Sequence, residues 1–250
     1  MKSTRLILIL ILSILLSSLN LKAQYKIGLI VVIDDSLMTH SNVGWTIITI
    51  FKNEYQLPFQ LERYCYRMVD SIFSDSRKDM NLVHLEKNNW YEYQTKKESL
   101  SRKEFKIFRE KWFNSILTKD SVEGLLVIEN IDPHLVYGMN GEKIKTEKIA
   151  ISTGKSSKKT GVYIKMQANL FWKSKPKKVK ALSYGLIVEK LPMVGKEEKF
   201  SELQLMEFQK PLQETIKKQL LDISTNPDFR EMTAILHRNA IIRKYNAQKD

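Results

Sequence analysis

The stretch Val122–Ile131, read as VEGLLVIENI, constrains the fold more than any other part of the chain. Leu125, Leu126, Val127 and Ile128 are four consecutive apolar residues behind Gly124 and ahead of Glu129-Asn130. A short continuous apolar run bounded by turn signals predicts a strand buried on both faces, whereas a strand with one wet face alternates. Such a strand needs a packed layer on each side of its sheet. Strand and helix signals alternate before it, and long strand signals follow it, so Val122–Ile131 is predicted to be the central strand.

Tyr25–Ile33 (YKIGLIVVI) reads as the first strand, apolar apart from Lys26 and rich in Val and Ile. Asp34-Asp35-Ser36 ends it, and a polar loop is expected up to Gly44. Trp45–Phe51 is expected as a second strand, with Lys52-Asn53-Glu54 as its turn. A helix is predicted from Phe59 to about Ser74, where Leu61, Cys65, Met68 and Ile72 recur at helical spacing and Tyr64 and Val69 widen the stripe. Met80–Leu85 follows as a short strand. Trp90, Tyr91 and Tyr93 then fall in a polar loop, either as a binding surface or as a cover for the sheet edge. Ser101 with Glu104 has the capping-box pattern. The helix it starts presents Phe105, Phe108, Trp112 and Ile116 on one face and ends near Thr118. Strands separated by helices imply a sheet with right-handed crossovers.

The character changes after Ile131. Lys143–Thr153 is a candidate strand. Gly161–Trp172 and Val179–Leu191 are expected to form a hairpin around the basic turn Lys173–Lys178, where Pro176 fits. Val162, Ile164, Met166, Ala168 and Leu170 share one face of it; Tyr163, Lys165, Gln167 and Asn169 share the other, which is expected to be wet. A helix is predicted from about Met206 to Ile223, with Leu205, Phe208, Leu212, Ile216, Leu220 and Ile223 on one side. Its alternative start is Lys210, which puts Pro211 in the first turn. Asn226-Pro227 caps a last helix, which gives way to the tail Asn246–Asp250. The expected fold class is therefore α/β: a mixed sheet with two or more helices packed on it. Its first half alternates strand and helix, its second half is a long antiparallel hairpin, and helices close the chain. The expected division is a signal peptide over 1–23, one α/β domain over 24–225, and a carboxyl-terminal helix and tail over 226–250.

The signal peptide rests on a tripartite pattern. Lys2 and Arg5 precede an apolar stretch from Leu6 to Leu16, and Ala23 offers a cleavage site. Ser17, Ser18 and Asn20 break the run well short of the roughly 20 apolar residues that a membrane span needs. The chain is thus expected to be periplasmic or secreted, with no transmembrane helix after cleavage near Ala23. No cysteine lies at the cut to carry a lipid anchor. Cys65 is the only cysteine, so no internal disulfide supports the fold. At 43% hydrophobic residues the chain can build an unaided core. Cys65 sits on the apolar stripe of its helix and is expected to be a packed thiol, since reactive thiols need exposure and a nearby positive charge.

The candidate chemistry is sparse. Gly154-Lys155-Ser156 resembles a phosphate loop, but that motif needs a glycine where Ile149 stands. Asp34, His84, Glu129 and His134 end or follow strands that, if parallel, share the carboxyl edge of the sheet, where α/β proteins bind ligands. Two histidines and two carboxylates are the ligand types of a metal-assisted hydrolase. None of them forms a pair at helical spacing, so no metal or other cofactor is assigned. The net charge is +13. Lys155, Lys158 and Lys159 lie in one loop, and Lys173, Lys175, Lys177 and Lys178 in the next. Consecutive loops of a meander sit at opposite ends of a sheet, so these residues form no single stripe of the kind nucleic acid needs. They read as solvated turns, or as a surface for an anionic envelope component.

The runs V-E-G-L-L-V-I-E-N, G-V-Y-I-K-M-Q-A-N-L-F-W and A-L-S-Y-G-L-I-V-E-K, in that order, resemble bacterial envelope proteins of the curli-assembly CsgG and TolB amino-terminal type. There, a residue pair such as Asp-Ala or Glu-Gly precedes a buried strand and a hairpin of long strands follows. The resemblance spans about Tyr25–Leu191 and lies in element order. It implies an α/β fold in the cell envelope with a non-catalytic assembly or binding role, and envelope proteins as partners. It carries over no functional residue. The expected function is thus non-catalytic binding or assembly in the envelope, with the metal-assisted hydrolase as the alternative.

Overall fold

A computed structural model describes residues 24–34, 36–42, 49–76, 80–131, 136–137, 143–144, 149–154, 160–172, 176–180, 186–188 and 200–247. The signal segment, His134, Lys155, Lys158, Lys159, Lys173 and Lys175 lie outside the described residues.

The chain folds as a mixed α/β sheet with helices on both faces. Strands β1 (Tyr25–Val32), β4 (Met80–His84) and β5 (Gly124–Ile131) are parallel, with β1 between the other two. Parallel neighbours require crossovers, and three helices supply them. α1 (Leu61–Ser76) leads into β4, while α2 (Asn88–Ser99) and α3 (Arg102–Lys119) lead from β4 to β5. On its other side β5 pairs antiparallel with β9 (Thr160–Phe171), Leu125 opposite Phe171 and Ile131 opposite Lys165. The first half of β9 pairs with β8 (Ile149–Gly154), beyond which come β2 (Ser36–Asn42) and β3 (Thr49–Gln56). β10 (Lys177–Lys180) and β11 (Leu186–Val188) also pair with β9, which realises the expected hairpin. β6 (Val136–Tyr137) and β7 (Lys143–Ile144) form a separate ribbon.

Neighbouring residues of β5 point to opposite faces and enter two different cores. Leu126 and Ile128 pack with the apolar sides of α1, α5 (Gln209–Thr225) and α6 (Pro227–Ala247). Leu125 and Val127 pack with Trp90 and Tyr93 of α2 and Trp112, Phe113 and Ile116 of α3. Every residue from Gly124 to Asn130 is buried. Gly124 itself is a close approach: a Cβ there would lie 2.9 Å from Leu236 Cδ1 and 3.1 Å from the Phe171 carbonyl oxygen. Only glycine lets α6 and β9 crowd the start of the strand.

The helices begin where local chemistry starts them. Ser101 Oγ accepts from the Glu104 N–H at 3.4 Å, and Glu104 Oε2 accepts from the Ser101 N–H at 3.1 Å, completing the capping box. Ser201 and Gln204 repeat the device at α4 (Glu202–Glu207). Pro211 lies in the first turn of α5, where its missing N–H costs nothing. Asn226 Oδ1 accepts from the Asp228 N–H at 2.9 Å at the start of α6. Leu205, Phe208, Leu212, Ile216, Leu220 and Ile223 are all buried, as their spacing implies. Phe229, Met232, Leu236 and Ala240 of α6 join the same core. From α5, fully buried Gln219 accepts from the Met166 N–H and donates to the Ile164 carbonyl, each at 2.6 Å. Its amide thus completes β9 hydrogen bonding as a neighbouring strand would.

Six local expectations are corrected. Ser36–Asn42, expected as a loop, is β2, and Lys52-Asn53-Glu54, expected as a turn, lies inside β3 opposite His40, Thr39 and Met38. These strands are set by pairing between β8 and the end of the sheet, which overrides weak intrinsic β propensity. Residues 90–93 are helical, not a loop: α2 has only two buried anchors, Trp90 and Tyr93, too few for a periodic signal. In α1 the fully buried line is Leu61, Cys65, Val69 and Phe73, with Met68 and Ile72 at its margin. Finally, Gln167 and Asn169 of the expected wet face are buried, and Lys177 and Lys178 of the expected turn are exposed residues of β10.

Candidate functional site: a cleft around Glu129

Glu129 is the one acidic residue of the central strand, 8% exposed, on the face covered by α2. Burying a carboxylate is costly unless donors replace its water. Four do. Trp90 Nε1 and Gln94 Nε2, one turn apart on α2, donate to Oε2 at 2.9 and 2.8 Å. Gln167 Nε2 and Asn169 Nδ2, on one face of β9, donate to Oε1 at 2.7 Å each. Those four bonds use the acceptor capacity of both oxygens. The cluster explains why a strand can carry amides toward the helix layer: Gln167 lies opposite Glu129 in the register, and Asn169 is two residues further on.

Aromatic rings wall the cluster. Trp90 stacks on Tyr93 with centroids 4.8 Å apart and planes within 9°, and Trp112 and Phe171 close around Tyr93 at 4.7 and 5.7 Å. Burial pushes the Tyr93 hydroxyl up to about 12, against the opposing pull of the Arg109 charge. Outward from the cluster opens a cleft of about 790 Å³, lined by α2, α3 and the neighbouring ends of β5, β9 and β10. Lys97, Arg109 and Lys178 bring positive charge to it, and Glu98 a negative one. The Arg109 guanidinium carbon is 6.0 Å from the centre of the Phe105 ring, within cation–π range. Its Nε is buried and has no hydrogen-bond partner.

The residues singled out from sequence do not come together as a set. β1, β4 and β5 are parallel as their placement required, and Glu129 lies in the cleft. Asp34 is joined to the same edge through its backbone: its N–H donates to Asn130 Oδ1 at 3.1 Å, and Asn130 Nδ2 donates to its carbonyl at 3.3 Å. His84 points the other way. Its Nε2 is 2.9 Å from Asp70 Oδ1, and its ring stacks on Tyr66, both residues of α1 on the opposite face of the sheet. Among the described residues, no three His, Cys, Asp or Glu side chains are grouped to hold a metal ion. Gln94, Arg109, Gln167 and Asn169 carry no signal of a site in the sequence, and Trp90 is expected there only within a loop that is either a binding surface or a cover for the sheet edge. The one signal available was Glu129 itself, since a carboxylate at the end of a two-sided apolar run requires donors from adjacent elements.

No family model and no curated protein matches the chain. Among solved structures, one described only as "Crystal structure of uncharacterized protein" aligns over 86% of this chain and 95% of its own, at 8% identity and a TM-score of 0.33. A likeness that low carries no argument about function.

Proposed function

We propose that the chain is an exported cell-envelope protein with a non-catalytic binding role, and that the Glu129 cleft is its binding site. The observation that carries this reading is the saturation of Glu129 by four fixed donors. A general base or metal ligand needs a free lone pair directed at its substrate; this carboxylate spends both oxygens on holding α2 and β9 together. What remains open to solvent is a cleft with aromatic, amide and cationic walls, a composition suited to recognition. Metal-assisted hydrolysis is supported less well, because His84 and Glu129 occupy opposite faces of the sheet.

Export rests on the leader pattern of residues 1–23 and the envelope assignment on the resemblance in element order. Among the described residues, no helix is long and apolar enough to cross a membrane. Amino-terminal sequencing of the chain recovered from cell fractions tests export. A chain beginning at Gln24 in the periplasm or medium is expected, and one that keeps Met1 in the cytoplasm overturns it. The binding role is tested by a photo-cross-linking residue at Tyr91, an exposed position on the rim of the cleft. It is expected to trap an envelope component in intact cells, and no adduct above that of an exposed control at Glu231 counts against the cleft.

A further inference from the structure

We propose that the cleft binds an organic anion, a carboxylate or phosphate monoester carried on a flat apolar body, with Arg109 as the partner of the anionic group. This deepens the binding role above and rests on it. Arg109 lines the cleft from α3 with a buried Nε that no acceptor meets. An unsatisfied buried donor is costly, the more so when charged. The buried acid of the cleft, Glu129, is committed to four amide and indole donors and makes no ion pair with Arg109 among the described residues. Glu98 also lines the cleft, but no ion pair joins it to Arg109 among the described residues, so the guanidinium is left for a ligand, and Lys97 and Lys178 line the same space. Planar guanidinium groups pair with carboxylate and phosphate oxygens two at a time, which a lysine cannot do.

The walls define the rest of the ligand. Phe105 lies under the guanidinium, and Trp90 and Tyr91 line the same cleft from α2. A flat apolar group beside the anion removes these ring surfaces from water, so an aromatic anion gains over a bare one. At about 790 Å³ the space suits a small molecule or the terminal group of a larger one.

Phenyl phosphate and benzoate, titrated into the full-length exported protein and followed by calorimetry and tryptophan emission, test the assignment. Both are expected to bind saturably, at least tenfold tighter than inorganic phosphate or benzylamine. Arg109→Gln is expected to weaken them at least tenfold and Arg109→Lys to fall between. Lys111→Gln, an exposed change on the same helix outside the cleft, should leave them unchanged. Equal binding of benzylamine or benzyl alcohol, or undiminished binding by a folded Arg109→Gln protein, overturns the anion assignment and leaves the cleft as a binding site. Absence of binding by every aromatic probe overturns the assignment too. If the Tyr91 cross-link also fails, the binding role falls with it.

Discussion

The indole N–H of Trp90 donates to Glu129 Oε2 at 2.9 Å, across 39 positions of sequence, and fastens the first turn of α2 to the central strand. Gln94, one turn later, donates to the same oxygen. α2 has no side-chain cap at its amino terminus and buries only Trp90 and Tyr93. Short helices gain most of their stability from tertiary packing rather than from propensity. The polar contact to Glu129 and the ring stack beside it therefore decide whether the wall of the cleft exists.

Replacing Glu129 by Gln tests that dependence. An amide keeps the shape but turns an N–H toward one pair of donors, leaving them unmet in a buried site. A loss of about 3 kcal/mol is expected, within the range for removing one partner of a buried charged network. Urea melts followed by tryptophan emission measure it. An unchanged midpoint would show that α2 is held by its rings alone.

Tyr93 makes the same wall sensitive to alkali. Its folded hydroxyl is raised from 10.0 to about 12, chiefly by burial. Below pH 10 both folded and unfolded states keep the proton, so the full stability is present. Between pH 10 and 12 the unfolded chain releases its proton and the folded one does not, so stability falls as pH rises. Tyr93→Phe removes this contribution. The wild-type protein should lose more stability than the variant over that window, and parallel curves would contradict the burial of the hydroxyl.

Much of this architecture was legible in the residues because burial writes a pattern. Leu125–Ile128 announces a strand with two covered faces, Ser101 and Glu104 announce a helix start, and Leu212, Ile216, Leu220 and Ile223 mark one side of α5. Elements held by partners far away in sequence leave no such mark. Ser36–Asn42 becomes a strand through β3 and β8, and Asn88–Ser99 becomes a helix on two aromatic anchors and two bonds to Glu129. Gln167 and Asn169 alternate correctly with Met166, Ala168 and Leu170, but polarity alone assigned their face to water. A buried acid on the next strand makes that face interior.

Gln219 offers a case where one side chain substitutes for a missing stretch of ladder. Gln219→Leu preserves much of the volume but leaves the Met166 N–H and Ile164 carbonyl without this partner. Unmet buried backbone groups cost about 1–3 kcal/mol each, so a loss of about 2–4 kcal/mol is expected in urea. Hydrogen exchange at the Met166 amide should quicken more than at Leu170, which pairs with Lys177 of β10. Equal change at both would assign the effect to general loosening.

Cys65 reports on the opposite face. It is fully buried on the sheet-facing side of α1, and burial pushes its thiol well above the usual cysteine range. A thiolate-selective disulfide reagent should therefore react only as the fold opens, slowly in buffer and fast in urea. Rapid labelling of the folded protein would mean that α1 does not sit on the sheet through Leu61, Cys65, Val69 and Phe73.

The central strand allows the sharpest comparison, because Leu125 and Leu126 are neighbours in sequence but belong to different cores. Both are fully buried. Leu125→Ala empties space beside Trp90, Trp112 and Phe171; Leu126→Ala empties space on the side of α1 and α5. Each is expected to cost about 2–5 kcal/mol, the range for large-to-small changes in a packed interior. That is a sizeable share of the roughly 5–15 kcal/mol that holds a typical domain. The two losses should differ in their local signature. Leu125→Ala should shift tryptophan emission before unfolding, since two tryptophans belong to its core, and Leu126→Ala should speed Cys65 labelling, since Cys65 belongs to the other. A strand covered on one side only would give a large loss for one variant and almost none for the other, and that outcome would remove either the α2–α3 layer or the α1–α5–α6 layer from the folded protein.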